Sequence, residues 1–317
     1  MARIVRYRAV GGPEVLETIT VEDPEPGPGE VRVAVQTIGV NPVDWKLRAG
    51  FYGPVPDGGF RVPGADAAGT IEAVGEGVED FEPGDEVIVT GANGAYTTSL
   101  IARADQLDRK PSGLSWQQAA ALGVPVGTAY QAIRSLQVAG GNTLLVHGGA
   151  GGVGQAAIQF AVREGATVVA TARVANHRRI RALGAVPVEY GPGLIARIAS
   201  VAPEGISVAL DAVGTDEALD TSFHFVSDRS RIGTVVRGAD AATFGIRAWS
   251  GGSAAPLSAQ ETRWRREAVP LAARLTADGE FDIEVSGIYP LEQAAEAHRE
   301  SERGHVRGKI VLVTGRI

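Results

Sequence analysis

The segment TLLVHGGAGGVGQAAIQFA, residues 143–161, constrains the fold more than any other stretch of the chain. A short continuous apolar run breaks into glycines, and an apolar pattern with helical spacing follows. The same alternation recurs downstream: TVVATA before ANHRRIRALGA, SVALDAVG before TDEALDTSFHFV, and then SRIGTVV. Strands read as unbroken apolar runs when helices cover both faces of their sheet. Repeated strand–helix alternation therefore predicts an α/β architecture, a doubly wound parallel sheet, from Thr143 onward.

The first third has a different texture. In EVRVAVQTIGV, Val31, Val33 and Val35 alternate with Arg32, Ala34 and Gln36, the pattern of a half-buried strand. GTIEAVG and DEVIVTG add short strands between the turn-forming PGPGE, PDGG and EPGDE segments, which predicts a small twisted barrel with Gly/Pro corners. Near residue 115 helices begin. Ser115 and Gln118 form a capping box ahead of AAALG, and TAYQAIRSL reads as a second helical stretch. Ser258 and Glu261 form another box, ahead of ETRWRREAVPLAARL, and the tail reads as a helix followed by a strand.

Composition narrows the function classes. A chain of 317 residues with 44% hydrophobic and 21% charged residues is long enough for two domains, each with its own core. The net charge of −7 argues against a nucleic-acid surface, and Lys46, Lys110 and Lys309 are the only lysines. With no cysteine, disulfides, thiolate nucleophiles and cysteine-ligated zinc are excluded. MARIVRYRAV has no apolar core of a signal peptide, and no apolar run reaches the ~20 residues of a membrane span. A cytoplasmic protein without a membrane partner is the expectation.

Gly149, Gly151 and Gly154 fit G-x-G-x-x-G. The spacing alone is weak in a chain with 42 glycines, but here a strand pattern enters the turn and a helix pattern leaves it. In that setting glycines permit a tight turn and close backbone approach. The first helical N–H groups, around Val153, then face a pyrophosphate. The turn Gly149, Ala150, Gly151, Gly152, Val153, Gly154 is thus a candidate dinucleotide loop; the alternative is a strand-to-helix turn without a ligand. An NAD site carries an acid about 20 residues further on, for the ribose hydroxyls. Here TVVATA ends in Thr171, Ala172 and Arg173, with no acid before Glu189. Arg173 suits the 2′-phosphate of NADPH, since guanidinium–phosphate pairing is charge-assisted and bidentate. Arg178 and Arg179 follow on the helix, where Arg179 and Arg181 read as a solvated face.

The chain resembles the medium-chain dehydrogenase/reductase superfamily, and within it the zinc-free quinone oxidoreductase (zeta-crystallin-like) branch. The resemblance rests on GPEVL, GVNPVDWKLRAGFYG, VPGADAAGTIEAVGEGVEDFEPGDEV, AALGVPVGTAY, VHGGAGGVGQAAIQFA, LDAVG and YPLEQAAEAHRESERGHVRGKIVL, in order and over nearly the whole length. It implies a GroES-like β-rich barrel domain, residues 1–122 with 266–317, and a doubly wound Rossmann domain, residues 123–265. Zinc-dependent members carry a catalytic cysteine and a Gly-His-Glu segment. Here that segment is Gly64, Ala65, Asp66, and His147, His177, His224, His298 and His305 have no ligand spacing and read as surface or turn residues. No metal is expected.

Hydride transfer without a Lewis acid suits acceptors already electrophilic: quinones, enones or enoyl thioesters. The resemblance places Asn41 near the nicotinamide ribose and Tyr52 in the active cleft, as a hydrogen-bond donor to the developing oxyanion or as an aromatic wall. Asp44 reads as a structural hydrogen-bonder. Thr128, Tyr190, Val213 and Gly214 are carried over as cofactor contacts. Lys309 either reaches the cofactor or faces water at a strand edge. Ser or Lys often stands around the 2′-phosphate in this branch, whereas this chain has Arg173 and His177. The loops FYGPVPDGGF and FGIRAWSGGS are expected to line the pocket. The leading expectation is an NADPH-dependent quinone or enone reductase acting as a homodimer. An enoyl-thioester reductase and an NADPH-binding structural or stress protein with little catalysis are the alternatives.

Overall fold

A computed structural model of the chain describes residues 1–249 and 255–315; positions 250–253 of the FGIRAWSGGS loop lie outside the described residues. The chain divides into two compact units, 1–124 with 269–317, and 125–268. Both crossings fall inside helices, next to Pro125 and Pro270.

The first unit opens with the hairpin pair β1 (Ala2–Arg6) and β2 (Glu17–Val21). β3 (Glu30–Val40) follows and leads directly into the short helix α1 (Pro42–Arg48). Next come β4 (Asp66–Val74), β5 (Glu86–Thr90), β6 (Ser99–Arg103) and β7 (Leu107–Arg109). β3 is the organising strand: it pairs antiparallel with β4 and with β6. Its first half alternates as the sequence predicts, with Val31, Val33 and Val35 fully buried. From Thr37 to Val40 every side chain is buried, because this end is covered on both faces. One cover is helical: a Cβ on Gly39 would stand 2.3 Å from the Ala120 carbonyl, so only glycine admits that approach.

Helix α2 (Trp116–Ser135) is one continuous element, where the sequence pattern predicts two stretches. Ser115 and Gln118 form the expected box, with Gln118 N–H donating to Ser115 Oγ at 3.2 Å. Pro125 removes one backbone donor but does not end the helix. Ala119, Ala120, Ala121, Leu122, Val126, Ala129, Ala132 and Ile133 are at most 1% exposed, so burial on both sides of the proline holds the helix together.

In the second unit the elements alternate as predicted. β8 (Thr143–His147), α3 (Gly152–Arg163) and β9 (Thr167–Thr171) come first, then α4 (His177–Ala182) and β10 (Val186–Val188). α5 (Leu194–Val201), β11 (Val208–Asp211) and α6 (Asp216–Phe225) follow, then β12 (Ile232–Thr234), α7 (Ala241–Phe244) and β13 (Arg247–Ala248). Among the described residues these strands form a parallel sheet in the order β10-β9-β8-β11-β12-β13. Strand order reverses direction between β8 and β11, the point where doubly wound sheets open a ligand crevice. Leu144, Leu145, Val146, Val169, Ala209 and Leu210 are fully buried, as continuous apolar strands require.

α8 (Ala259–Ala277) starts at the predicted Ser258–Glu261 box and carries the chain back to the first unit. There β14 (Val285–Pro290), α9 (Ala294–Glu302) and β15 (Lys309–Val313) complete the chain. β15 pairs antiparallel with β3 and parallel with β14, giving the sheet path β14-β15-β3-β4-β5-β7.

Candidate functional site

The glycine turn after β8 is built by three different glycine requirements. Gly148 has φ +82°, and a Cβ there would stand 2.6 Å from Val213 Cγ2. Gly154 lies against the turn itself, 2.2 Å from the Gly148 carbonyl by the same test, so close helix–strand packing needs it. Gly151 is different: a Cβ would meet only the Gly148 carbonyl, at 3.7 Å, and the space beside it is open. Gly151 is also the N-cap of α3 and has no side chain to cap with. A helix leaves its first N–H groups without internal acceptors; at Gly152, Val153 and Gly154 they form a cradle for an anion. Gln155 Nε2 braces the turn by donating to the Ala150 carbonyl at 2.9 Å.

The end of β9 lies beside the glycine turn. Thr171 is buried, and its hydroxyl accepts from Gly148 N–H at 3.2 Å while its carbonyl accepts from Gly149 N–H at 3.0 Å. It anchors the glycine turn. Arg173 is exposed beyond the strand end, and its Nε donates to Tyr190 Oη at 2.7 Å. The two residues singled out separately in sequence therefore act as one unit. Arg178 is exposed on α4. Arg179 does not belong to a solvated face, contrary to the sequence expectation: its Nε and NH2 donate to Gln155 Oε1 at 3.1 and 2.7 Å, clamping α4 to α3.

On the other side of the switch point, Asp211 organises the corner after β11. Its Oδ1 accepts from Val213 N–H and Gly214 N–H at 2.9 and 2.8 Å, and its Oδ2 accepts from Thr234 Oγ at 2.7 Å. Gly214 has φ +80° and Val213 is left 43% exposed at the tip. His147 is opposite Asp211 in register and is buried, not a surface or turn residue. Burial pushes its imidazole down to about 4, against the pull of Asp211, so the ring is neutral at pH 7. Thr128, on α2, is also buried.

A second cluster lies inside the first unit and centres on Asn41. Its backbone N–H donates to Asp44 Oδ2 at 2.8 Å, closing a capping box at the start of α1. Its side-chain amide is held from both sides: Nδ2 donates to Asp66 Oδ2 at 2.9 Å, and Oδ1 accepts from Lys309 Nζ at 2.6 Å. Asp66 Oδ2 also accepts from Val124 N–H at 2.9 Å, and only glycine fits at 123, since a Cβ would stand 2.2 Å from Asp66 Oδ1. Lys309 donates a further bond to the Val40 carbonyl at 2.6 Å and is 4% exposed, so it does not face water.

Burial dominates the electrostatics here. It pushes the Asp44 carboxyl up to about 7, opposed by the Asn41 N–H and by Lys309. It raises Asp66 and lowers Lys309, each opposed by the other's charge. Tyr96 Oη donates to Asp44 Oδ2 at 3.2 Å and meets His298 Nε2 at 3.1 Å. Its phenol lies well above its usual range because it is buried and faces Asp44. A Cβ on Gly64, at φ +100°, would stand 2.5 Å from the Tyr96 ring, so the tripeptide Gly64, Ala65, Asp66 both seats that tyrosine and supplies the carboxylate. His298, like His147, is fully buried where a surface residue was expected.

Tyr52 lies in the turn that follows α1 and is 41% exposed. Phe51 beside it is exposed and stacks edge-on with Trp45 at 5.7 Å. The FYGPVPDGGF loop thus leaves Phe51, Tyr52 and Phe60 open to contact. Of the other proposed pocket loop, Trp249 is buried, and its Nε1 donates to Glu261 Oε1 at 2.7 Å. Sequence reasoning missed Asp66, Tyr96 and His298 as partners of Asn41 and Asp44. For Asp66 and Tyr96 the one available signal was a polar residue inside an otherwise apolar stretch, and His298 gave none.

Known proteins match this chain along its whole length. The profile of the alcohol dehydrogenase GroES-like domain fits residues 27–134, and that of a zinc-binding dehydrogenase fits residues 183–312. A quinone oxidoreductase of Pseudomonas aeruginosa is 33% identical over 99% of this chain and 100% of its own. The structure of Escherichia coli quinone oxidoreductase complexed with NADPH superposes with a TM-score of 0.84, at 25% identity over 99% of this chain and 100% of the other. A structure described as an NAD-dependent alcohol dehydrogenase superposes at 0.83, with 31% identity over 99% of this chain and 100% of the other.

Proposed function

The chain belongs to the medium-chain dehydrogenase/reductase superfamily, in its zinc-free quinone oxidoreductase branch, and from that premise we propose that it transfers hydride from NADPH to a quinone or an α,β-unsaturated carbonyl acceptor. The observation that carries the choice of NADPH is the end of β9, where Arg173 and Tyr190 are joined and the sequence has no acid between Thr171 and Glu189. The open flank of Gly151 and the uncapped N-terminus of α3 fit a pyrophosphate. Gly152, Val153 and Gly154 would bind it through their N–H groups. Arg173, with Tyr190 and Arg178, would take the 2′-phosphate, and Val213, Gly214 and Thr128 would border the nicotinamide end. Thr171 holds the loop in place from beneath.

When bound, the cofactor supplies a hydride from its nicotinamide ring. Tyr52 would donate a hydrogen bond to the acceptor oxygen as that oxygen gains negative charge. Water would complete the protonation of the product. Asn41 is buried with its amide committed to Lys309 and Asp66. We therefore assign Asn41, and Lys309 through it, to holding the backbone of this segment. A homodimer would form through an edge of the six-stranded sheet, at β10 or β13 among the described residues.

The test is NADPH and NADH oxidation against 9,10-phenanthrenequinone, simple enones and enoyl thioesters, with Tyr52→Phe in parallel. Steady NADPH oxidation with a quinone or enone, and a rate loss in Tyr52→Phe at unchanged NADPH KM, are the expected results. Turnover confined to enoyl thioesters would replace this reading, and no turnover with any acceptor would leave a binding protein.

A further inference from the structure

We propose that Tyr96 and His298 are positioning residues, members of a one-way hydrogen-bond chain that holds segment 41–52 and the Tyr52 it carries. The direction of the chain follows from donor and acceptor chemistry alone. Arg48 Nε can only donate, and it meets His298 Nδ1 at 3.3 Å. That nitrogen must therefore present its lone pair, which leaves the ring proton on Nε2. Nε2–H then donates to Tyr96 Oη at 3.1 Å, and Tyr96 in turn donates to Asp44 Oδ2 at 3.2 Å. Asp44 Oδ2 also accepts the Asn41 N–H that opens α1. With Asp44 ionised, every link has one donor and one acceptor available, and none can be reversed without leaving two donors or two acceptors face to face.

Arg48, His298, Tyr96 and Asp44 are each at most 1% exposed, so water does not substitute for a missing link. The start of the chain is anchored: Arg48 also donates to the Gly11 carbonyl and pairs with Glu302. His298 and Glu302 stand four apart on α9, on one face of that helix. Burial and the Arg48 charge push the His298 imidazole down to about 3, which keeps it in the neutral form the chain requires. The chain begins at the last residue of α1 and ends at its first turn, so it fixes both ends of a seven-residue helix. Tyr52 follows four residues later, with Phe51 N–H returned to the Lys46 carbonyl at 3.0 Å. A helix this short has little stability of its own, and its orientation comes from what grips its ends.

The catalytic part of the proposal rests on the reading of Tyr52 as donor. Tyr96→Phe removes one oxygen and keeps the ring against Gly64. His298→Leu has neither donor nor acceptor, whereas His298→Gln is neutral and has both. With 9,10-phenanthrenequinone, Tyr96→Phe and His298→Leu should lower kcat by about tenfold or more while the NADPH KM holds, because misplacement rather than lost binding is the defect. His298→Gln should recover most of the rate. The acid limb of kcat should also move to higher pH in Tyr96→Phe. Lys309 on β15, the Asn41 N–H and the Tyr96 hydroxyl hold the Asp44 carboxyl down, Asp66 on β4 pushes it up, and one of the restraining groups is lost. Amide hydrogen exchange should quicken over 41–52 and stay unchanged over 143–163. Wild-type exchange over 41–52 in both variants would overturn the chain, and faster exchange there with unchanged kcat would overturn its link to catalysis. A wild-type protein inert toward every acceptor would overturn the reductase reading alone, since the exchange measurement still decides the chain.

Discussion

Lys309 Nζ donates to Asn41 Oδ1 at 2.6 Å, joining residues 268 apart in sequence inside a site closed to water. The lysine faces two buried carboxylates, Asp44 and Asp66: its charge lowers both, theirs raise it, and Asp66 also raises Asp44. Removing one partner of a buried charge group costs about 3–5 kcal/mol, because the others remain buried and unpaired. Lys309→Met should therefore lower the melting temperature clearly, and both carboxyls should rise further. Adding Asp66→Asn should recover part of the loss, which a double-mutant cycle of melting measurements would detect. Strict additivity of the two changes would show that the charges do not interact.

The two inner glycines of the turn after β8 should separate folding from binding on the NADPH reading. Gly154→Ala forces a Cβ to within 2.2 Å of the Gly148 carbonyl, against backbone that has nowhere to move. Loss of soluble protein or a large fall in melting temperature is expected. Gly151→Ala meets nothing closer than 3.7 Å, and its φ of −76° suits any residue. That variant should melt like the wild type and still raise the NADPH KM, since its methyl group occupies the open flank beside the helix N-terminus. Fluorescence titration with NADPH alongside thermal melting would check both. An unchanged affinity in Gly151→Ala would place the pyrophosphate elsewhere.

The parallel sheet and the glycine turn were legible because their signals are local. Apolar runs of strand length, helix-period segments and a turn needing glycine all lie within about 20 residues of one another. The cluster around Asn41 was not legible. Its partners sit 3, 25 and 268 positions away, and no periodicity links an aspartate on β4 to a lysine on β15. His298 illustrates the limit: within AEAHRES it reads as one polar residue on a polar helix, and only the packing of α9 onto Arg48 buries it. Arg179 failed in the same way, because its partner Gln155 belongs to a different helix. Helix α2 reads as two stretches in the sequence, and it runs as one through Pro125 because burial on both sides overrides a local helix-breaking residue.

Two buried neutral histidines should make the protein acid-labile in a defined window. His298 and His147 are pushed down to about 3 and about 4 from an ordinary 6.5. A depressed folded-state pKa contributes stability that is complete above 6.5 and is lost as pH falls toward those values. Asp44 has the opposite sign. Its folded-state value near 7, against an ordinary 3.8, contributes stability at low pH that is lost as pH rises through 7. Melting curves from pH 4 to 8 should show His298→Gln gaining on the wild type as pH falls below 6.5. Asp44→Asn should gain as pH rises from 4 to 7. Parallel curves for a variant and the wild type would remove that residue from the account.

Arg173 gives the sharpest test of cofactor choice. Its Nε is tied to Tyr190 Oη at 2.7 Å, which orients the guanidinium beyond the end of β9 where a 2′-phosphate would lie on the NADPH reading. A hydrogen bond to a charged group contributes about 1.5–3 kcal/mol, so Arg173→Ala should raise the NADPH KM by roughly 10- to 100-fold. NADH has no 2′-phosphate, and its KM should hold, so the ratio of kcat/KM values for the two cofactors should fall by the same factor. Tyr190→Phe removes the orienting hydroxyl but not the charge and should produce a smaller shift in the same direction. Raising the salt concentration should weaken NADPH more than NADH in the wild type and equalise the two in Arg173→Ala. A cofactor ratio unchanged by Arg173→Ala would assign the ribose end to other residues and reopen NADH as the hydride donor.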